Sequence, residues 1–384
     1  MAKPDVATVP AVQMVPALFS DLPGWAGDDQ GAALTAFRAS CNRLRVIARG
    51  TVEAGKEPSA ALVALCAEAE QVAVKAAGAA RAFFEENFVP HRVAHNLKPG
   101  LLTGYYEPEI AGSRRAEGKF RVPVYKRPPD LVNLVDESER GAKGPGLTHA
   151  RQTAAGVVPF PTRQEIELGA LEGQGLELVW LESPVDVFFL QVQGSGKIKF
   201  ADGSTMRISY DGKNGHPYTS IGKYLIDNQI MPADRVSMRA LANWLKADVE
   251  RGRQVMWQNQ SYVFFRTNRG AEAAHALGVW EIPLTPGRSL AVDTAFHAIG
   301  LPVYVVAPTL THVSKGRAFQ RLMVAHDVGS AIKGPERGDI YFGSGEAAGK
   351  LAGNTKHSGN LFVLLPKAES LKLEQAALSR PTGK

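Results

Sequence analysis

The spacing of apolar and polar residues changes several times along the chain, and each change predicts a different kind of element. Leu34, Phe37, Cys41 and Leu44 recur at three- and four-residue intervals, the signature of an amphipathic helix. After Pro58-Ser59 the same period returns in an alanine-rich run through Phe88, with Leu62, Cys66, Ala69 and Ala73 on one face. Ser59 stands where its hydroxyl would cap that helix, and Pro90 closes the helical region. Residues 1–18, rich in Pro, Ala and Val without a period, read as a flexible tail, and residues 371–384 as a second one.

From Leu101 the pattern shortens to strands. LLTGYYEP (Leu101–Pro108) is a strand turned at a proline, and Phe120–Lys126 is another in Pro- and Gly-rich surroundings. Thr162 with Glu165 forms a capping box ahead of a short helix. Leu176–Leu181, Val185–Gln193 and Lys197–Phe200 read as strands, with Asp202-Gly203 as the hairpin turn into Thr205–Tyr210. Helical spacing resumes at Ser220–Asn228 and Ser237–Glu250, the latter ending before Gly252. From Ser261 onward come YVFF, SLAVD, PVYVVA, LMVAHD, DIYFG and NLFVLL, short apolar runs between turn residues that suggest a closed barrel.

The last of these runs carry the candidate chemistry. Between Met323 and Pro366, Asp327 and Asp339 stand at the ends of apolar runs among glycines 329, 334, 338, 343, 345, 349 and 353. An acid at a strand end ordinarily caps a turn. Asp339, however, directly precedes Ile340–Phe342, whose side chains would desolvate its carboxyl and raise its pKa. Upstream, Thr103-Gly104-Tyr105 offers a hydroxyl, a bare backbone and an aromatic face. Gln191 and Gln193 share one face of their expected strand, and Gly194-Ser195 follows; amides there suit reading hydroxyl and acetamido groups.

Composition narrows the classes. The 384 residues are 45% hydrophobic, enough for a sizeable core and two or three domains, and 38 Gly with 24 Pro favour a loop-rich β protein. The net charge of +6 is spread without Lys/Arg runs, which argues against nucleic acid as partner and leaves a weakly acidic polymer open. The histidines lack ligand spacing, and two cysteines cannot make a zinc site. Cys41 and Cys66 are open to two readings, a disulfide between packed helices or two small buried residues. No apolar stretch is long enough to span a membrane.

LLTGYYEP, LQVQGSG, GKNGHPYTSIG, the AVD of Ala291–Asp293, DVGSAIKG and GDIYFGSG together resemble the membrane-bound lytic murein transglycosylase A family with its C-terminal three-aspartate module, in the family's order over most of the chain. The resemblance implies a mainly β protein with helices: a double-ψ β-barrel (residues 19–112 and 251–370, N-terminal helices packed on it) interrupted by a β-rich second domain at 113–250. It implies non-hydrolytic cleavage of the MurNAc–GlcNAc β-1,4 bond of peptidoglycan, giving 1,6-anhydro-MurNAc ends, with no cofactor and no metal. Asp339 matches the catalytic aspartate and Asp327 a supporting acid; Thr103, Gly104, Tyr105, Gln191, Gln193, Gly194, Ser195, Asp293 and Lys333 fall at substrate-facing positions, Lys333 able to meet peptide-stem carboxylates. The partner implied is a glycan strand, with other cell-wall enzymes a further possibility, and the protein is expected to be a monomer. The implied place is the periplasm facing the wall, with outer-membrane anchoring typical of the family, although no signal peptide or lipobox stands in MAKPDVATVPAVQMVPA.

Two other readings share the same residues. A non-catalytic carbohydrate-binding or wall-loosening barrel needs the groove without the acid. A two-carboxylate hydrolase needs a second acid across the bond, for which Glu107, Glu109, Glu336 and Glu346 are candidates.

Overall fold

The computed structural model describes residues 12–50, 58–95, 99–135 and 147–378. Its strands, in chain order, are β1 (Gln13–Pro16), β2 (Phe88–Ala94), β3 (Leu101–Glu107), β4 (Glu109–Ser113), β5 (Val122–Tyr125), β6 (Leu131–Asn133), β7 (His149–Thr153), β8 (Gly156–Val158) and β9 (Glu177–Leu181). They continue with β10 (Ser195–Lys199), β11 (Thr205–Lys213), β12 (Val263–Thr267), β13 (Ser289–Val292), β14 (Pro302–Ala307), β15 (Phe319–Val328), β16 (Arg337–Ser344), β17 (Lys356–Ser358) and β18 (Asn360–Pro366). A nine-stranded sheet runs β1-β2-β18-β14-β15-β13-β16-β3-β17, a six-stranded sheet β12-β11-β10-β4-β9-β5, and a small sheet β6-β7-β8.

The nine-stranded sheet is curled. β17 and β18 are separated in sequence by Gly359 alone, yet β14, β15, β13, β16 and β3 lie between them in the sheet. At about 4.8 Å per strand a flat sheet would hold them roughly 29 Å apart, whereas the two Cα–Cα steps across Gly359 span at most about 7.6 Å. The sheet therefore rolls until its two sides meet at Gly359, whose N–H donates to the carbonyl of Gly100 at 3.2 Å. A Cβ there would lie 2.5 Å from Leu102 and 2.9 Å from the carbonyl oxygen of Val306, so only glycine fits the seam. The hydrogen-bonded ladder still has ends at β1 and β17, which differs from the closed barrel expected.

Three N-terminal helices, α1 (Gln30–Ala48), α2 (Ala60–Gln71) and α3 (Ala79–Asn87), share one core with this sheet. Phe37, Phe83, Phe84 and Phe88 form its aromatic centre, with ring centroids 5.2–6.5 Å apart. Asp29 and Ser59 cap α1 and α2, and a disulfide joins Cys41 to Cys66. The long second helix expected through Phe88 is instead two, broken at 72–78, and Pro90 lies inside β2.

The six-stranded sheet carries a separate, smaller core, flanked by α4 (Arg163–Glu165), α5 (Pro184–Gln193), α6 (Ile221–Asp227), α7 (Met238–Ala247) and α8 (Val249–Met256). The Thr162–Glu165 capping box is present. Several expectations are corrected here. Val185–Gln193 is helix α5 rather than a strand: Ser183 caps it, Pro184 occupies its first turn, and Gly194 ends it at φ +76°. Its apolar run is continuous because it is buried on two sides, Val187 and Leu190 against the sheet, Val185 and Phe188 against α6–α8. Gly252 does not stop a helix but lies within α8, where a Cβ would meet the carbonyl oxygen of Leu245 at 2.3 Å. The YVFF strand, expected in the barrel, is β12 and pairs with β11 in the six-stranded sheet.

At the termini, residues 13–16 of the expected tail form β1 on β2, while residues 1–11 lie outside the described residues. Residues 371–378 of the other tail belong to helix α10 (Lys367–Leu378), and 379–384 lie outside the described residues. The remaining helix, α9 (Gly345–Gly353), follows β16 directly. The chain leaves the curled sheet at Pro108, between β3 and β4, and re-enters it at β13.

Candidate active site

One residue of β13 places both acids. Ala291 is the register partner of Asp327 on parallel β15 and of Asp339 on antiparallel β16, so the two carboxylates flank a single small side chain. On the other side of β16, parallel β3 sets Thr103 beside Asp339 and Tyr105 beside Tyr341. The Thr103 hydroxyl donates to Asp339 Oδ1 at 2.7 Å, and the Tyr105 hydroxyl donates to Asp327 Oδ2 at 3.0 Å. Asp327 Oδ1 also accepts the backbone N–H groups of Val279 (3.1 Å) and Val328 (2.9 Å).

Asp339 and Asp327 line a cleft of about 460 Å³. Its other wall comes from the six-stranded unit: Gln191, Gln193 and Gly194 from α5 and its C-cap, Ser195 from the start of β10, and Ser209, Tyr210, Asp211 and Lys213 from β11. Lys213, itself buried, reaches across from β11 to donate to the hydroxyl of Ser330 at 3.3 Å.

The local field favours the protonated form of Asp339 relative to an ordinary carboxyl. Burial pushes its pKa up to about 6, Arg337 and the Thr103 hydroxyl pull it back, and the Asp327 carboxylate adds a smaller push upward. Although part of the side chain still meets solvent in the cleft, the packed strands around the carboxyl make desolvation the largest effect. Burial and the neighbouring Asp327 hold Tyr105 well above the usual phenol range, so it stays a neutral donor.

The structure separates the expected substrate residues into two groups. Tyr105, Gln191, Gln193, Gly194 and Ser195 line the cleft with the acids, and Thr103 touches Asp339 from behind. The two glutamines, however, also tie elements together. Gln193 Oε1 accepts the N–H of Tyr106 at 3.0 Å, bridging α5 to β3, and Gln191 Nε2 reaches the carbonyl of Val263 at 3.4 Å. They do not share a strand face, because they lie on a helix.

Gly104, Asp293 and Lys333 fall outside the cleft. A Cβ on Gly104 would lie 2.8 Å from the Cα of Ala352, so this glycine admits α9 rather than substrate. Asp293 is buried and holds a turn, accepting the N–H groups of Ala295 (3.1 Å) and Gly334 (2.8 Å). Lys333 is exposed on the loop that Asp293 anchors. The glutamates considered for a hydrolase are engaged elsewhere: Glu107 with Arg207, Glu109 with Lys197, Glu336 with His95 and Glu346 with Lys350.

Sequence reasoning missed Arg337. Its Nη2 donates to Thr103 Oγ1 at 2.7 Å, and it lines the cleft beside Asp339. The signal was its position two residues before Asp339 on a strand, which puts both side chains on one face.

Comparison with known proteins bears directly on this arrangement. The family model described as MltA specific insert domain matches residues 101–266, and the 3D domain model matches residues 288–365. The membrane-bound lytic murein transglycosylase A of Escherichia coli strain K12 is 37% identical over 275 residues, 71% of this chain and 67% of that protein. That of Vibrio cholerae is 34% identical over 268 residues, 69% of this chain and 65% of that protein, so the matched span is about two thirds of these relatives. Among solved structures, the membrane-bound lytic murein transglycosylase of Agrobacterium tumefaciens superposes with a TM-score of 0.82 at 38% identity, over 94% of this chain and 99% of that one. The E. coli MltA structure with bound chitohexaose superposes with a TM-score of 0.65 at 30% identity, over 92% of each chain.

Proposed function

Because the chain belongs to the membrane-bound lytic murein transglycosylase A family, we propose that it cleaves the MurNAc–GlcNAc β-1,4 bond of peptidoglycan without water, using Asp339 as acid and then base. The observation that carries this reading is a carboxyl with raised pKa at the wall of a cleft bounded by two different sheets. A relative holds chitohexaose, and a glycan strand laid in the present cleft would touch Tyr105 on one side and the Gln193–Ser195 segment on the other.

In this scheme Asp339 gives its proton to the glycosidic oxygen as the C1–O bond breaks. The C6 hydroxyl of the same MurNAc then attacks C1, and its proton returns to the Asp339 carboxylate. The attacking group is intramolecular, so its high effective molarity replaces an activated water and no second catalytic carboxylate is needed. Asp327, anchored by Tyr105 and two backbone N–H groups, adds a smaller upward push to an Asp339 pKa that burial raises first.

The curled sheet, with its parallel pairs β3·β16 and β13·β15, supports a double-ψ barrel, into which the unit from β4 to β12 is inserted. The Cys41–Cys66 disulfide supports an oxidising compartment, hence a periplasmic protein facing the wall. No helix among the described residues is long and apolar enough to cross a membrane. Mass spectrometry of digested peptidoglycan tests the proposal. Products one water lighter than hydrolytic ends support it; hydrolytic ends would establish a hydrolase, and binding without products a carbohydrate-binding module.

A further inference from the structure

Thr103 has one hydroxyl proton and sits between two groups that leave it no choice of direction. Arg337 Nη2 lies 2.7 Å from Thr103 Oγ1, and a guanidinium has no acceptor, so Arg337 must donate to the hydroxyl oxygen. The hydroxyl proton must then point the other way, to Asp339 Oδ1 at 2.7 Å. Arg337 is itself held in place, its Nη1 donating to the carbonyls of Gly338 (2.5 Å) and Leu101 (3.3 Å). Rotation of the threonine hydroxyl is therefore blocked by a fixed cation rather than by packing alone.

We propose that Arg337 and Thr103 are positioning residues that reserve Oδ1 of Asp339 as an acceptor and so confine its transferable proton to Oδ2. A carboxyl oxygen that accepts a hydroxyl proton at 2.7 Å along a fixed direction has little room to carry one of its own. Oδ2 has no hydrogen-bond partner among the described residues and is not one of the buried unpartnered atoms, so it is the oxygen that meets the cleft. The acid proton is thus presented on the one oxygen a ligand can reach. After transfer, the resulting carboxylate keeps the Thr103 hydrogen bond on Oδ1 while Oδ2 receives the proton from the C6 hydroxyl. Each turnover then returns the same oxygen to the same state. The inference rests on the cleavage mechanism proposed above for its catalytic meaning, but its hydrogen-bond content is independent of substrate.

The test uses the full chain with Thr103→Val, Thr103→Ser and Arg337→Met. Loss of one hydrogen bond to a charged group predicts a roughly ten- to hundred-fold fall in kcat for Thr103→Val with KM little changed. Thr103→Ser, which keeps the hydroxyl, is expected to stay near wild type. Removing the donor also takes away a force that favours the carboxylate, so the alkaline limb of the pH–rate profile should move to higher pH in Thr103→Val and in Arg337→Met. The same displacement should appear in a substrate-free titration of the Asp339 carboxyl by carbon-13 NMR, assigned by its disappearance in Asp339→Asn. That readout survives even if the murein-cleaving reading fails. The proposal is overturned if the carboxyl titrates identically in wild type and Thr103→Val, or if Thr103→Ser behaves like Thr103→Val.

Discussion

The two walls of the cleft are built in opposite ways. Most of the curled sheet and its helices share one large apolar core, with a small second cluster of Tyr105, Ala276, Leu284, Ala291, Ile332 and Tyr341 beside the acids, and β14 (PVYVVA) is buried at every position. The inserted unit splits its apolar residues among separate small clusters and leans on polar ties. Arg163 there is fully buried, stacked near Phe188 and donating to the carbonyls of Asn259 (2.9 Å) and Ser261 (2.6 Å). The acids stand on the curled-sheet side, where neighbouring strands hold each carboxylate in register. The amides stand on the divided side, at the end of a helix. The contrast teaches that a proton-transferring group needs a rigid, desolvating frame, whereas a surface that meets a long polymer can be assembled from smaller pieces.

The strongest way to break this comparison is to remove the acid. Asp339→Ala should lower turnover by about 10²–10⁴-fold, the usual worth of general acid–base help, with circular dichroism unchanged. Retention of a tenth of wild-type activity would take the chemistry off the curled sheet.

The next effect concerns the frame. The Cys41–Cys66 bond closes 25 residues, and in the chain-entropy model opening such a loop costs about 3 kcal/mol. Urea unfolding with and without reductant should show that loss, and denatured unreduced protein should contain no titratable thiol.

A subtler probe is the cost of the frame's low polarity. Since burial raises the Asp339 pKa to about 6, folding retains a proton there that the unfolded chain gives up near pH 4. The stabilisation is full below the ordinary carboxylate range and is lost as pH rises to 6. Asp339→Asn should therefore be more stable than wild type by about 1–3 kcal/mol at pH 7.5, the gap closing below pH 4. Thermal unfolding across that range checks it, and an Asn variant less stable at neutral pH would contradict it.

The smallest expected effect sharpens the divided side. Gln193→Ala removes the acceptor of the Tyr106 N–H and should destabilise by about 0.5–1.5 kcal/mol. If Gln193 also binds glycan, calorimetry on an inactive Asp339→Ala background should show weaker oligosaccharide binding as well. Loss of stability alone would make it a strut.

Much of the acid-bearing wall was legible because its signals are local. DIYFG and LMVAHD are strands with an acid at one end, and the cap residues Ser59 and Thr162 act within their own turns. The failures come from context. VDVFFLQVQ carries a dense apolar run because its helix packs against both the sheet and α6–α8, and period alone cannot tell that from a buried strand. Gly252 looked like a stop because the close approach of Leu245 is a tertiary fact. YVFF carries no mark of which sheet it joins, and β2, with β1 paired on its outer edge, joins the sheet only through β18, far along the chain. Arg337 escaped notice because its role depends on Thr103, more than two hundred positions away.

The seam at Gly359 also sets an order of events. Phe88 pairs with Pro366, and Leu101 pairs with both Arg337 and Ser358, so the curled sheet joins the chain's early strands to its last ones. The inserted sheet, by contrast, draws its strands from one uninterrupted stretch, Glu109 to Thr267. In a chain emerging from its N-terminus, the insert has all its strands long before β18 appears. Contacts so distant in sequence also form slowly. On the mechanism proposed above, the Asp339 site is therefore assembled late, which builds a delay between synthesis of the polypeptide and the moment it is armed.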